Sequence, residues 1–162
     1  MEHTLLKIMP APARLQRVFY EHPIYYVTIC THGRRPILTN SIVHDAFVQF
    51  GLRALNRRIQ VGRYVIMPDH LHLFVSFGPD SMSLSAWVKS LKNAISKALK
   101  PAKTASPHWQ KGFFDHVLRS AESYEQKWLY VRNNPVRAGL IESADDWPYG
   151  GEISALLFDR RL

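Results

Sequence analysis

The sequence predicts an α+β domain in which strand-like and helix-like segments alternate and one further helix follows them. Two observations favour this class: several short runs are rich in β-branched and aromatic residues, and several longer segments carry apolar residues at helical spacing. The 162 residues, 46% hydrophobic and 21% charged, suit one globular domain. We expect that domain over residues 21–150, between an N-terminal arm at 1–20 and a C-terminal tail at 151–162.

Four strands are indicated along the chain. The first covers about residues 25–31, the second 61–66, the third 70–77 and a short fourth 113–118. Pro68 lies between the second and third, and a proline cannot donate a hydrogen bond to a strand ladder. We therefore expect residues 67–69 to form the turn between these two strands.

Three helices are predicted between and after the strands. The first runs from Ser41 to about Arg58, the second from Ser83 to Leu99 and the third from Ala121 to about residue 133, where Asn134-Pro135 is expected to stop it. The resulting order β-α-β-β-α-β is that of the split βαβ, or ferredoxin-like, sandwich: an antiparallel sheet with helices on one face, here followed by a C-terminal helix. Many unrelated functions use this arrangement, so the fold alone indicates none of them.

Charge and cysteine content narrow the surroundings and partners. The formal net charge of +8 and a pI near 9.8 favour an anionic partner, of which nucleic acid is the commonest. No apolar run is long enough to cross a bilayer, and the N-terminal residues do not resemble a secretory signal. Cys30 is the single cysteine and cannot form an intramolecular disulfide. We expect a cytoplasmic protein with no membrane association.

Residues 67–75 read MPDHLHLFV, with two histidines inside an apolar run. Side chains at i and i+2 of a strand share a face, so His70 and His72 are expected to project together. The same alternation predicts that Asp69, which could otherwise orient an imidazole, points away from His70. Two interpretations stay open for the pair: half of a metal site, or two histidines that are exposed or hydrogen-bonded for structural reasons.

The last predicted helix carries two tyrosines with different expected roles. At about 100° per residue, Tyr124, Trp128 and Val131 fall within about 60° of one another and form a core stripe. Tyr130 lies outside that stripe, on the same face as Lys127. Asn134 precedes a proline, so its side chain is expected at the fraying end, where it can reach beyond the helix.

These features together resemble a known family. A histidine–hydrophobic–histidine strand followed about sixty residues later by a helical tyrosine resembles the HUH single-tyrosine transposases. The stretches YVTICT at 26–31, WQKGFF at 109–114 and NPVRAGL at 134–140 are most similar to the REP-associated branch of that class. The resemblance covers about residues 20–150. The approach to the first strand, EHPI at 21–24, differs from the glycine-containing segment usual in that branch.

The resemblance implies an activity and a set of site residues. Tyr130 would be the nucleophile, and His70, His72 and Asn134 would hold Mg²⁺ or Mn²⁺. Proteins of this family cut and rejoin single-stranded DNA next to hairpins through a 5′-phosphotyrosine. Relatives from mobile elements act as homodimers, whereas the REP-associated branch is expected to act as monomers. Two other functions remain open: a non-catalytic module that binds hairpins, and a metal-dependent phosphodiesterase that uses water while Tyr130 is structural.

The chemistry of these residue types suits strand transfer. Neutral imidazole and amide ligands leave the full charge of a cation available to a phosphate. A phenolate leaves phosphorus more readily than an alkoxide does, so a phosphotyrosine bond can be resealed without ATP. Lys127 could stabilise the phenolate or contact the phosphate. The candidate phosphate contacts are Lys89, Lys92, Lys97, Lys127, Arg119, Arg132 and Arg137, with Trp109 as a possible base-stacking platform. The sequence organises no site around His22, Cys30, His108 or His116.

Overall fold

A computed structural model of the protein describes residues 23–156, which form a five-stranded antiparallel sheet with helices on both faces. The strands are β1 Ile24–Cys30, β2 Ile59–Ile66, β3 His70–Phe77, β4 Phe114–Leu118 and β5 Gly150–Glu152; the helices are α1 Ser41–Ala54, α2 Leu84–Leu99, α3 Ala121–Arg132 and α4 Asn134–Arg137. The strand order is β4-β1-β3-β2-β5, and its first four members have the split βαβ arrangement. The predicted fold class is confirmed.

The two faces of the sheet are distinguished by alternation along its strands. On β3, Leu71, Leu73 and Val75 face α1 and α2 and are buried in the larger hydrophobic core. Phe74 points the other way and joins the smaller core under α3, together with Tyr124. We call these the two-helix face and the α3 face.

Side-chain caps define where the three longer helices begin. Asn40 accepts a hydrogen bond from the amide of Val43 at 2.9 Å, and the hydroxyls of Ser83 and Ser120 do the same for α2 and α3. Each cap satisfies one of the amides that a helix leaves unpaired in its first turn. The first helix ends four residues before the predicted boundary at Arg58, because a 3₁₀ turn follows at Leu55–Arg57 and Arg58 adopts a left-handed conformation with φ of 60°.

The break after α3 differs from the prediction by one residue. Asn133, with φ of −84° and ψ of 1°, interrupts the helix, and Asn134 begins the short helix α4. The expectation that Asn134-Pro135 stops the helix is therefore wrong. Proline is tolerated in the first turn of a helix because the amide it lacks has no intrahelical partner there.

Residues 150–152 complete the sheet, although the sequence assigned 151–162 to a tail; residues 157–162 of that tail lie outside the described residues. In β5, Gly151 pairs with Tyr64 of β2, and the following Ile153 and Leu156 are buried. Ile153 and Leu156 pack so closely on two glycines that a larger residue would collide with them. A Cβ on Gly51 would lie 2.5 Å from the Ile153 side chain, and one on Gly62 would lie 2.6 Å from the Leu156 side chain. The predicted arm at 1–20 lies outside the described residues.

No helix within residues 23–156 combines the length and the apolar character needed to cross a bilayer.

Candidate active site

His70 and His72 lie together on the α3 face, as the period of the strand predicts. Their rings are 4.7 Å apart between centroids and inclined at 78°. The amide nitrogen of Asn134, at the start of α4, lies 3.2 Å from Nε2 of His70 and 3.0 Å from Nε2 of His72. The structure thus brings the three predicted ligand residues together at one point, where the two Nε2 atoms converge.

His72 is held from behind by the neighbouring strand. The hydroxyls of Tyr26 and Thr28 each lie 2.8 Å from its Nδ1, and the side chain is only 8% exposed. Thr28 is the direct cross-strand partner of His72, and Tyr26 follows at the next position on the same face. With Nδ1 occupied by hydroxyls, Nε2 is the nitrogen left to face Asn134.

His70 is held by a carboxylate. Asp69 Oδ1 lies 2.8 Å from His70 Nδ1, and Arg34 Nε donates to Asp69 Oδ2 at 2.8 Å. An Arg34 amino group also lies 3.4 Å from Nδ1, but the shorter contact with the carboxylate indicates that Nδ1 carries a proton and donates it to Asp69. The prediction that Asp69 points away is wrong, because Asp69 precedes β3 and strand alternation does not govern a turn residue.

The environment keeps both imidazoles neutral. Burial, with the positive charges of nearby groups including Arg137 and Lys127, lowers the pKa of His72 to about 3. Burial also lowers the pKa of His70, although Asp69 opposes that shift. For Asp69, burial acts to raise the pKa, but the hydrogen bonds from His70 and Arg34 outweigh it and lower the pKa. A neutral imidazole offers one nitrogen lone pair to a cation. In His72 the tautomer with its proton on Nδ1, beside the Tyr26 and Thr28 hydroxyls, leaves that lone pair on Nε2.

The donor set fits a divalent cation. Between residues 23 and 156 no group of three or more His, Cys, Asp or Glu side chains comes together, and the side chain that meets both Nε2 atoms is the amide of Asn134. Asn134 carries its oxygen on the same terminal carbon as the nitrogen that now faces the imidazoles, and an amide rotation exchanges them. Imidazole suits softer transition metals, whereas an amide oxygen suits magnesium or manganese.

Tyr130 is displayed on α3, with 60% of the residue exposed. Two cations lie near its ring: the guanidinium of Arg137 is 3.9 Å from the centroid, and Lys127 Nζ is 6.0 Å away. Lys127 Nζ is also 5.0 Å from the ring of Tyr26, the residue that contacts His72. Tyr124 is buried at 4% exposure, so the predicted difference between the two tyrosines of this helix is confirmed.

Helix α3 is anchored to the sheet by Arg63 of β2. Its Nη1 donates to Glu125 and its Nε to Glu152, both at 2.8 Å. The guanidinium also lies over the rings of Tyr124 and Trp128, 5.2 and 5.5 Å from their centroids. These contacts join β2, α3 and β5 and help to hold the helix that carries Tyr130 on the sheet.

The other predicted DNA contacts are dispersed. Lys89 and Lys97 are exposed on α2, in the layer on the opposite side of the sheet from the histidines. Arg119 is exposed just after β4, and Arg132 forms an ion pair with Asp145. Among the predicted cations in the described part of the chain, Lys127 and Arg137 lie beside Tyr130.

Lys92 and Trp109 serve the loop before β4. Lys92 Nζ donates to the carbonyl oxygens of Gln110 and Gly112 at 3.0 and 2.7 Å. The indole of Trp109 donates to the carbonyl of Lys92 at 3.1 Å and packs against the larger hydrophobic core, on the two-helix face. Both side chains therefore hold the loop to α2, and the indole is not displayed as a stacking platform.

Known proteins resemble this chain in sequence. The family described as "Transposase IS200 like" matches residues 20–134. A Haemophilus influenzae protein provisionally named a REP-associated tyrosine transposase is 22% identical over 83% of this chain and 82% of its own. The REP-associated tyrosine transposase of Escherichia coli is 28% identical over 58% of this chain, a match that spans 54% of that protein.

Solved structures share the fold. A REP-associated tyrosine transposase bound to a REP hairpin superposes with a TM-score of 0.67 at 20% identity, covering 88% of this chain and 82% of that one. A transposase-like protein from Deinococcus radiodurans superposes with a TM-score of 0.52, also at 20% identity, covering 69% of this chain and 90% of that one.

Proposed function

The chain belongs to the IS200-like transposase family, and on that premise we propose that it is a metal-dependent strand transferase that cuts and rejoins single-stranded DNA beside hairpins. The observation that carries the proposal is the convergence of His70, His72 and Asn134 at one point, with an exposed tyrosine on the preceding helix and two cations near its ring. A hairpin partner is favoured because the solved relative is described as bound to one.

The proposed cation is Mg²⁺ or Mn²⁺, held by His70, His72 and the amide oxygen of Asn134. When bound, it would supply Lewis-acid polarisation of the scissile phosphate. The protein's own part is to keep both imidazoles neutral through burial, and to orient them through Asp69 on one ring and the Tyr26 and Thr28 hydroxyls on the other.

In the proposed reaction Tyr130 is the nucleophile. Its phenol loses a proton, the phenolate oxygen forms a bond to phosphorus, and the bond from phosphorus to the 3′-oxygen breaks. The leaving 3′-oxygen takes up a proton, so the products are a 5′-phosphotyrosine and a 3′-hydroxyl. In the reverse direction a 3′-hydroxyl attacks phosphorus and the phenolate leaves, so strands are rejoined without ATP.

Two cations are placed to assist Tyr130. Arg137 and Lys127 lie near the ring, where they can neutralise charge on a bound phosphodiester. The free energy of such contacts is sequence-independent, so these residues position the strand and do not read its bases. We propose that the reaction takes place in the cytoplasm. Either a monomer or a homodimer would be compatible with the proposed site.

The test is capture of DNA as a covalent adduct. A labelled single-stranded oligonucleotide that carries hairpins from the DNA flanking the protein's own gene is incubated with protein and Mn²⁺ or Mg²⁺, then resolved on a denaturing gel. We expect a shifted protein–DNA band that requires the metal and is lost in Tyr130→Phe. The matched control is Tyr25→Phe, because Tyr25 neighbours Tyr26 on β1 but packs on the two-helix face.

Other results would contradict the proposal in distinguishable ways. A covalent band retained by Tyr130→Phe would remove Tyr130 as the nucleophile. Metal-dependent cutting without any adduct, equal in wild type and Tyr130→Phe, would indicate a phosphodiesterase that uses water. Tight hairpin binding with no cutting by either metal would indicate a non-catalytic binding module.

A further inference from the structure

Phe114 is the most exposed of the large apolar side chains in the described part of the chain, at 71%. It lies on β4, an edge strand paired on one side with β1. A single exposed apolar residue is common on protein surfaces and by itself indicates nothing. Its position relative to the histidine pair is what gives this ring a function.

The strand register aligns Phe114 with the active site. Phe114 pairs with Thr28 of β1, and Thr28 pairs with His72 of β3. Directly paired residues project from the same face of a sheet, so the three side chains form one row across the α3 face. Neighbouring strands are about 4.8 Å apart, which puts the phenylalanine roughly 10 Å from His72.

The surface between them is suited to a single nucleic acid strand. His116, exposed at the next position of β4 on this face, pairs with Tyr26, over whose ring Lys127 Nζ lies at 5.0 Å. Asp115 lies between these two residues of β4 and pairs with Val27, which is buried in the larger hydrophobic core. Asp115 therefore projects from the two-helix face. The row therefore combines aromatic rings with a cation and carries no carboxylate from β4.

We propose that Phe114 is a stacking subsite for a nucleobase of the DNA strand adjoining the bond that Tyr130 attacks. The inference rests on the proposed function. Base stacking on an aromatic ring is tolerant of sequence, because every base has a π-face, and it fits a strand held mainly through its phosphates. Since Trp109 is used to hold a loop to α2, Phe114 takes the role for which the sequence favoured that indole.

The test measures binding separately from cleavage. Affinity for a single-stranded oligonucleotide is measured by fluorescence anisotropy in a chelating buffer, for wild type, Phe114→Ala and Phe114→Tyr. We expect the alanine variant to bind about tenfold to a hundredfold more weakly and the tyrosine variant to bind like wild type. The dependence of affinity on salt is expected to be unchanged, because no phosphate contact is lost.

A matched control and a spectroscopic readout separate stacking from a general loss of surface. Ile42→Ala removes an apolar side chain that is 56% exposed on α1, away from the site, and is expected to leave affinity unchanged. Oligonucleotides with 2-aminopurine at successive positions should each be tested. One position should be quenched by wild type and by Phe114→Tyr but not by Phe114→Ala.

Three outcomes would overturn the inference. The first is equal affinity and equal quenching in wild type and Phe114→Ala. The second is a change of mass by light scattering in Phe114→Ala with unchanged DNA affinity, which would make the ring a contact between two copies of the chain. The third is the absence of any DNA binding by wild type, which would overturn the proposed function as well. If wild type formed no covalent adduct but still quenched 2-aminopurine through Phe114, that result would contradict only the proposed function.

Discussion

The two faces of the central sheet have different roles, although the same strands form both. On the two-helix face, Leu71 and Leu73 of β3 are fully buried among the apolar side chains of α1 and α2. One residue away along the same strand, His70 and His72 lie in a polar network with Asn134 on the α3 face. A period of two thus lets one strand contribute its stability on one side and its chemistry on the other.

This contrast indicates how substitutions should divide. Large-to-small changes on the two-helix face remove buried area and leave a cavity, so they act on the free energy of unfolding. Changes among the groups that hold the imidazoles act on orientation and proton position, so they should act on metal affinity and rate. Variants that affect both properties equally would break the comparison.

The largest effect is expected for Leu73→Ala. The side chain has no exposed surface, and its truncation should lower the free energy of unfolding by about 2–5 kcal/mol, measured by urea denaturation. Thr28→Val, on the α3 face of β1, keeps the shape of the side chain but removes a hydroxyl from His72. It should change stability much less while weakening metal binding. A larger loss of stability from Thr28→Val than from Leu73→Ala would contradict the division.

Asp69→Asn should have the next largest effect, on function alone. An amide no longer holds the proton of His70 Nδ1 as a carboxylate does, so metal affinity and the rate of adduct formation should fall by about 10- to 100-fold. Calorimetric metal titration and single-turnover gels measure the two quantities. The control is Asp80→Asn, at an exposed left-handed position that asparagine also adopts readily. Equal effects of the two substitutions would remove Asp69 from the site.

Arg63→Met should have a smaller effect that links the two properties. The arginine forms ion pairs with Glu125 and Glu152, both of which are partly exposed, so its loss should cost about 1 kcal/mol or less and lower Tm by a few degrees. Because the same side chain positions α3, adduct formation should fall as well. Unchanged adduct formation at a lowered Tm would show that the position of Tyr130 does not depend on this anchor.

The smallest effect is expected on the pH dependence of stability, through a histidine of α1. Burial lowers the pKa of His44 on α1 below its ordinary 6.5, although Asp45 acts to raise it. As pH falls below about 6.5, the unfolded state binds the proton more readily than the folded state, so this residue makes stability decline with acidification. Urea denaturation at about pH 7.5 and about pH 5.5 should therefore show a smaller decline in His44→Gln than in wild type. An unchanged decline would exclude His44 as a contributor.

Much of the site could be predicted because it follows from local periodicity. The shared face of His70 and His72 requires only that the run be a strand, and the different burial of Tyr124 and Tyr130 requires only that theirs be a helix. The strands and helices of the split βαβ arrangement follow from the same periodicities.

What could not be predicted depends on contacts between distant segments. Tyr26 and Thr28 reach His72 through the register of β1 against β3, and one sequence does not reveal a register. Asp69 was excluded by an alternation rule that stops at the strand boundary. The exposure of Phe114 and the partial burial of Trp109 depend on how the loop before β4 returns to α2.

The segment that begins with β5 pairs with the outer edge of β2 and packs Ile153 and Leu156 against Gly51 and Gly62. This late pairing has a consequence for protein synthesis. On the ribosome, β2 is made long before the segment that pairs with its outer edge, and that edge is open until residues 150–156 emerge. An unpaired strand edge is a template for association with other chains. We therefore expect nascent chains that stall shortly before Gly150 to aggregate, because only the last described residues close this side of the sheet.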